Sequence, residues 1–101
     1  MIARIWRGWT RSWDADAYAE HLRQTAISQC RQAPGNKGAY ILSRGDGDCT
    51  EFAVLTLWQS LNAIRAFAGE DIEQSVPSPE DEIFLTRAQP AITHYEVIEQ
   101  Q

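Results

Sequence analysis

Residues Thr56 to Glu73, Thr-Leu-Trp-Gln-Ser-Leu-Asn-Ala-Ile-Arg-Ala-Phe-Ala-Gly-Glu-Asp-Ile-Glu, read as the end of a strand, a helix cap, an amphipathic helix and a glycine stop. Val54 to Trp58 is apolar apart from Thr56 and fits a strand. Ser60 is a good N-cap, because its hydroxyl can accept from an otherwise unpaired amide of the first turn. Leu61, Ile64, Phe67 and Ala68 recur at helical spacing. Gly69 can take the positive-φ conformation that ends a helix.

Upstream, Ile2 to Trp9 is rich in β-branched and aromatic residues and reads as a first strand. Asp14 or Asp16 opens a helix whose apolar stripe is Ala15, Tyr18, Ala19, Leu22 and Ala26. Ile27 falls off that stripe, so either the helix bends there or Ile27 meets another subunit. Pro34-Gly35-Asn36 is a turn. Gly38 to Arg44 is a second strand, Gly45-Asp46-Gly47-Asp48 a hairpin signal and Thr50 to Trp58 the third strand. Ile72 and Val76, four apart, predict a further helical turn. Ser78-Pro79-Glu80-Asp81 carries capping residues with proline at the first helical position and predicts a short turn. Pro90 precedes a last strand, Ala91 to Ile98.

This order is βαββαβ, the ferredoxin-like α+β arrangement with an antiparallel four-stranded sheet, in one domain spanning 1–101. Two helices cover one face of such a sheet. A sheet with one wet face alternates apolar and polar residues. Phe52-Ala53-Val54-Leu55-Thr56-Leu57-Trp58 and Ala39-Tyr40-Ile41-Leu42 are apolar on both faces. Something outside the monomer must cover the second face, and a sheet-to-sheet homodimer is the simplest cover.

Composition narrows the function. The net charge is -5, with a single lysine and scattered arginines, which is a poor footprint for nucleic acid. No run of about 18 apolar residues is present to span a membrane. Arg4, Arg7 and Arg11 interrupt any signal-peptide core, so a cytoplasmic location is expected. Cys30 and Cys49 form no CxxC pair and have no neighbouring histidine, so they are expected to be reduced and no metal is expected. Phosphate loops and the Gly-x-Ser-x-Gly elbow are missing, which argues against kinases, nicotinamide enzymes and hydrolases of that type.

The 56–73 run, with Met1-Ile2-Ala3-Arg4-Ile5-Trp6 and Thr93-His94-Tyr95-Glu96-Val97 at the two ends, resembles the antibiotic biosynthesis monooxygenase family of small dimeric α/β-barrel proteins. The resemblance covers nearly the whole chain. It implies a homodimer and, for the enzymes among its members, a monooxygenase that uses neither metal nor flavin. Such an enzyme acts on an aromatic or polyketide-like small molecule, removes a proton, holds the resulting anion and admits dioxygen to an apolar pocket. The alternative is a non-catalytic dimer of the same fold, structural or binding a small hydrophobic ligand. Haem-degrading relatives need an axial histidine soon after the second helix and an aromatic residue, usually Trp, that ruffles the haem. Phe67 to Pro77 has no histidine, and Phe67 holds the aromatic position, so haem and other cofactors are not expected.

Several residues are candidates for chemistry. His94 sits in the last strand and is able to take a proton near neutrality; a core or interface histidine with one hydrogen bond is the plain alternative. Glu96 shares its strand face. Arg4 and Trp6 share one face of the first strand, as do Arg7 and Trp9. An arginine beside a tryptophan could stabilise an anionic intermediate under an aromatic wall; an interface salt bridge is the plain alternative. On the enzyme reading His94 is the base, Arg4 the anion stabiliser, and Trp6, Tyr40 and Trp58 the walls. The plain alternative for Trp58 is a core anchor. His21 is expected at the surface, and Glu70, Asp71, Glu73, Glu80, Asp81 and Glu82 as a solvated acidic rim.

Overall fold

The computed structural model describes residues 1–75 and 77–101. Strand β1 (Ile2–Arg11) lies at the centre of an antiparallel sheet. β2 (Asn36–Asp46) and β3 (Cys49–Trp58) form a long hairpin whose turn is Gly47-Asp48, with Gly47 at φ 62°. β3 pairs with β1 along its whole length, from Ile2↔Trp58 to Arg11↔Cys49. The other edge of β1 takes two short strands. β5 (Thr93–Glu96) pairs with its first half and β4 (Leu85–Ala88) with its second. The sheet thus has five strands where four were expected: β5 is the expected last strand, shortened at both ends, and β4, which lies before Pro90, was not expected. The ferredoxin-like α+β architecture holds.

Helices cover one face. A 3-10 turn (Ser12–Asp14) leads into α1 (Ala15–Leu22), a π-helical segment (Arg23–Ile27) and α2 (Ser28–Gln32), in one continuous run. The apolar stripe advances in steps of four from Leu22 to Ala26 and Cys30. The wider π turn, which ends at Ile27, keeps those positions facing the sheet. α3 (Leu61–Ala68) starts at Ser60, whose Oγ accepts from the Ala63 amide at 3.1 Å, and stops at Gly69, φ 93°. The expected turn after Ser78 is a helix, α4 (Pro79–Phe84). It is closed by a capping box in which Ser78 Oγ accepts from Asp81 N and Asp81 accepts from Ser78 N. The expected helical turn over Ile72 and Val76 reaches outside the described residues. Ile72 and Glu73 form a turn, and Gln74 bridges Ala91.

The core sits between helices and sheet in two clusters. Tyr18, Leu22 and Phe52 form one; Cys30, Trp58 and Ile64 form the other. Arg4, Trp6, Phe52, Val54, Thr56 and Trp58 therefore face the helices. The opposite face carries Ile5, Leu55 and Leu57, ringed by exposed Tyr40, Leu42 and Tyr95. The apolar character of both faces is thus real in three dimensions.

Candidate functional site

A half-open cavity of about 550 Å3 lies between the helix-facing side of the sheet and the helices. Its floor is Arg4, Trp6, Val54 and Thr56. One wall comes from Leu22, Thr25, Ala26, Gln29 and Cys30, the stretch that contains the π segment. The other wall comes from Phe67 and Ala68 at the end of α3 and from Gln74, Ser75 and Pro77 to Asp81 in the chain that follows. Its size and mixed lining are those of a small-molecule site.

Trp6 lies flat along β1 because Gly8 leaves room for it. A Cβ at Gly8 would meet the Trp6 ring at 2.4 Å. The indole N–H donates to Ser75 Oγ at 2.9 Å, which ties the far wall to the floor. Arg4 is half-buried. Its Nη1 donates to the Ile72 carbonyl at 2.7 Å and to His94 Nε2 at 2.9 Å. Arg4 and His94 are direct cross-strand partners, which sets that contact. No carboxylate lies within ion-pair distance of Arg4 among the described residues. Its Nη2 and Nε donate to no residue among those described. Burial lowers the Arg4 pKa from its ordinary value, and the neighbouring Cys30 works weakly the other way. The guanidinium nonetheless stays charged at neutral pH. Burial pushes the Cys30 thiol up, with Arg4 pulling it down by less.

Arg4 and Trp6 of the expected site residues come together at this cavity. The other three do not line it. His94 sits behind Arg4. Tyr40 projects from the opposite sheet face and is 51% exposed, because β2 places it opposite Leu55 on the outer side. Trp58 is sealed in the core, its N–H on Thr56 Oγ1 at 2.8 Å and its ring 4.9 Å from Phe67. A wall role for Tyr40 and Trp58 is therefore corrected: one is on the wrong face and the other is an anchor beneath the floor.

His21 is also placed differently. It lies between α1 and α4 with its side chain 11% exposed, stacked near Tyr18 and Phe84. Its Nε2 is 3.0 Å from Asp81 Oδ1 and its Nδ1 is 3.5 Å from Glu80. Tyr18 donates to the same Asp81 oxygen at 3.2 Å, and burial together with Asp81 drives the Tyr18 pKa far upward. Asp81 and Glu80 thus line the cavity and clasp α4 to α1 instead of forming a plain rim. The capping motif Ser78-Pro79-Glu80-Asp81 was the visible signal; its long-range partner on α1 was not.

No family model matches the chain. No curated protein matches it either. Solved structures do match over nearly the full length. A protein named as an antibiotic biosynthesis monooxygenase from Bacillus cereus superposes with a TM-score of 0.70 at 11% identity, over 99% of this chain and 95% of that one. The chain has the fold of the antibiotic biosynthesis monooxygenases. A second protein named for that family, from Nitrosomonas europaea, gives 0.69 at 15% identity, over 98% and 100% of the two chains. The haem degrader MhuD of Mycobacterium tuberculosis, solved with two haems in its active site, gives 0.67 at 19% identity, over 100% and 99%.

The haem of that last protein finds a poor fit here. Neither histidine lines the cavity: His94 is engaged with Arg4, and His21 with Asp81 and Glu80. Cys30 is the one soft donor in the lining among the described residues, and its raised pKa keeps it a thiol. The cavity supplies no imidazole for an axial bond to iron.

Proposed function

We propose that the chain is a monooxygenase-like protein that binds an aromatic or polyketide-like small molecule as its anion and delivers it to dioxygen without a cofactor. One observation carries this reading: a half-buried arginine with no carboxylate within ion-pair distance among the described residues lines a cavity of mixed apolar and polar character beside a tryptophan. A phenolate or enolate held there gains charge-assisted hydrogen bonds that water screens little. The chemistry is then the substrate's own. The electron-rich anion reduces dioxygen and forms a carbon–oxygen bond at the adjacent CH2. One oxygen atom ends as the new carbonyl, and the other leaves as water with the two hydrogens of that carbon. The fold shared with proteins named as monooxygenases and with a haem degrader supports oxygen chemistry in general.

The test is oxygen uptake with a panel of hydroxylated polycyclic aromatics, wild type beside Arg4→Gln. Removing a donor from the developing anion costs about 10²–10³ in turnover, so uptake should fall by that order. Equal uptake by both proteins would refute Arg4 as the anion stabiliser. A second reading is a non-catalytic binder of the same ligand class. It is favoured by the engagement of both imidazoles, which leaves no free imidazole in the cavity. Binding without oxygen uptake across the panel would select it.

We also propose that two copies pair through the outer sheet face around Ile5, Leu55 and Leu57. Support comes from the apolar ring that Tyr40, Leu42 and Tyr95 leave exposed there. A reducing, cytoplasmic setting is proposed on the two free thiols, one buried in α2 and one at the hairpin end.

A further inference from the structure

We infer that His94 is a positioning residue for Arg4: the neutral imidazole holds the guanidinium at the cavity, so the anion site weakens as pH falls. This rests on the reading of Arg4 as the anion-binding group. A guanidinium donates and cannot accept. Both Nη1 hydrogens are placed, one on the Ile72 carbonyl and one on His94 Nε2. Nε2 must therefore carry its lone pair there, and the ring proton sits on Nδ1. The nitrogen that a general base would use is already spent on Arg4. That assigns His94 away from proton abstraction and toward orienting the cation.

Protonation of Nε2 reverses the contact. The acceptor disappears, and two cations face each other at 2.9 Å. Arg4 must then turn away, and with it the Nη2 and Nε donors. The charged groups around the ring are few. Arg4 faces it from β1, and the charge of Glu73, in the segment before the bridge, acts on it. Glu96 follows on the same face of β5. Cys30 stands near Arg4 from α2 and remains a thiol. Burial and Arg4 oppose protonation of His94, and Glu73 partly offsets them. The switch therefore belongs on the acid side of an ordinary histidine.

The probes are 2-naphthalenesulfonate, an anion at every pH used, and uncharged 2-naphthalenemethanol. Equilibrium dialysis compares about pH 8 with about pH 4, well to the acid side of an ordinary histidine. Wild type should lose about tenfold in affinity for the sulfonate at the acid end, the worth of one charge-assisted hydrogen bond. Its affinity for the alcohol should not move. His94→Gln puts a carbonyl oxygen near the place of Nε2 and cannot titrate, so it should bind the sulfonate tightly at both pH values. His94→Leu should bind it weakly at both while holding the alcohol normally. Long-range proton–nitrogen correlation spectra of the ligand-free protein should show the Nδ1–H tautomer near pH 8.

A flat wild-type profile, an unchanged pH slope in His94→Gln, tight sulfonate binding by His94→Leu, or an Nε2–H tautomer would each overturn the inference. Failure of the underlying reading looks different. Arg4→Gln would then bind the sulfonate as wild type does, or wild type would fail to bind it near pH 8, even with the tautomer in place.

Discussion

Burial and the adjacent Arg4 both lower the His94 pKa, with Glu73 pulling the other way. The unfolded chain then binds more protons than the folded one in the interval below the unfolded value of about 6.5. Stability from this group is full above about pH 6.5 and falls as pH drops toward the folded-state pKa. Urea denaturation across that window should show the loss in wild type and a smaller one in His94→Gln; identical slopes would contradict it. Gly8 makes a second residue-level prediction. In Gly8→Ala the new methyl displaces the Trp6 ring, costing about 1–3 kcal/mol as overpacking does. Indole emission should shift with it, because Trp6 forms part of the cavity floor. Hemin should give no saturable five- or six-coordinate Soret spectrum at stoichiometric ratio, since neither imidazole reaches the cavity. Arg4 and Trp6 were legible as neighbours because strand alternation puts residues two apart on one face. Tyr40 was not, because alternation alone does not say which face the helices cover.

Among the elements, α3 was readable almost to the residue. Ser60, the apolar spacing of Leu61, Ile64 and Phe67, and Gly69 each carry a local physical meaning. Ser60→Ala removes the bond to the Ala63 amide and should cost about 1 kcal/mol. That corresponds to roughly 4–8 °C in Tm for a domain of this size. An unchanged melting curve would mean that water replaces the cap. The hairpin turn was equally local. The extra strand β4 was not, because β4 and β5 are held by pairing with opposite halves of β1. Short strands made by long-range partners leave little periodicity in their own four residues. The π segment was half-legible: Ile27 fell off the apolar stripe, and a wider turn ends at that residue.

For the whole molecule, the outer sheet face sets the expected assembly. Leu55 sits at its centre, opposite Ile5 on one side and Tyr40 on the other. Leu55→Asp should give monomers or insoluble protein in sedimentation velocity, and a wild-type protein that sediments as a stable monomer at micromolar concentration would remove the dimer. The cavity has a different vulnerability. Much of one wall comes from Gln74, Ser75 and Pro77 to Asp81, and between Gly69 and Ser78 the described residues include no strand or helix beyond the bridge of Gln74 to Ala91. Such a stretch can open at far less free energy than the strands it leans on. Ligand residence time is then a property of this wall, while affinity is a property of the floor. Substitutions at Gln74 and Pro77 should change the on- and off-rates together and leave their ratio nearly constant.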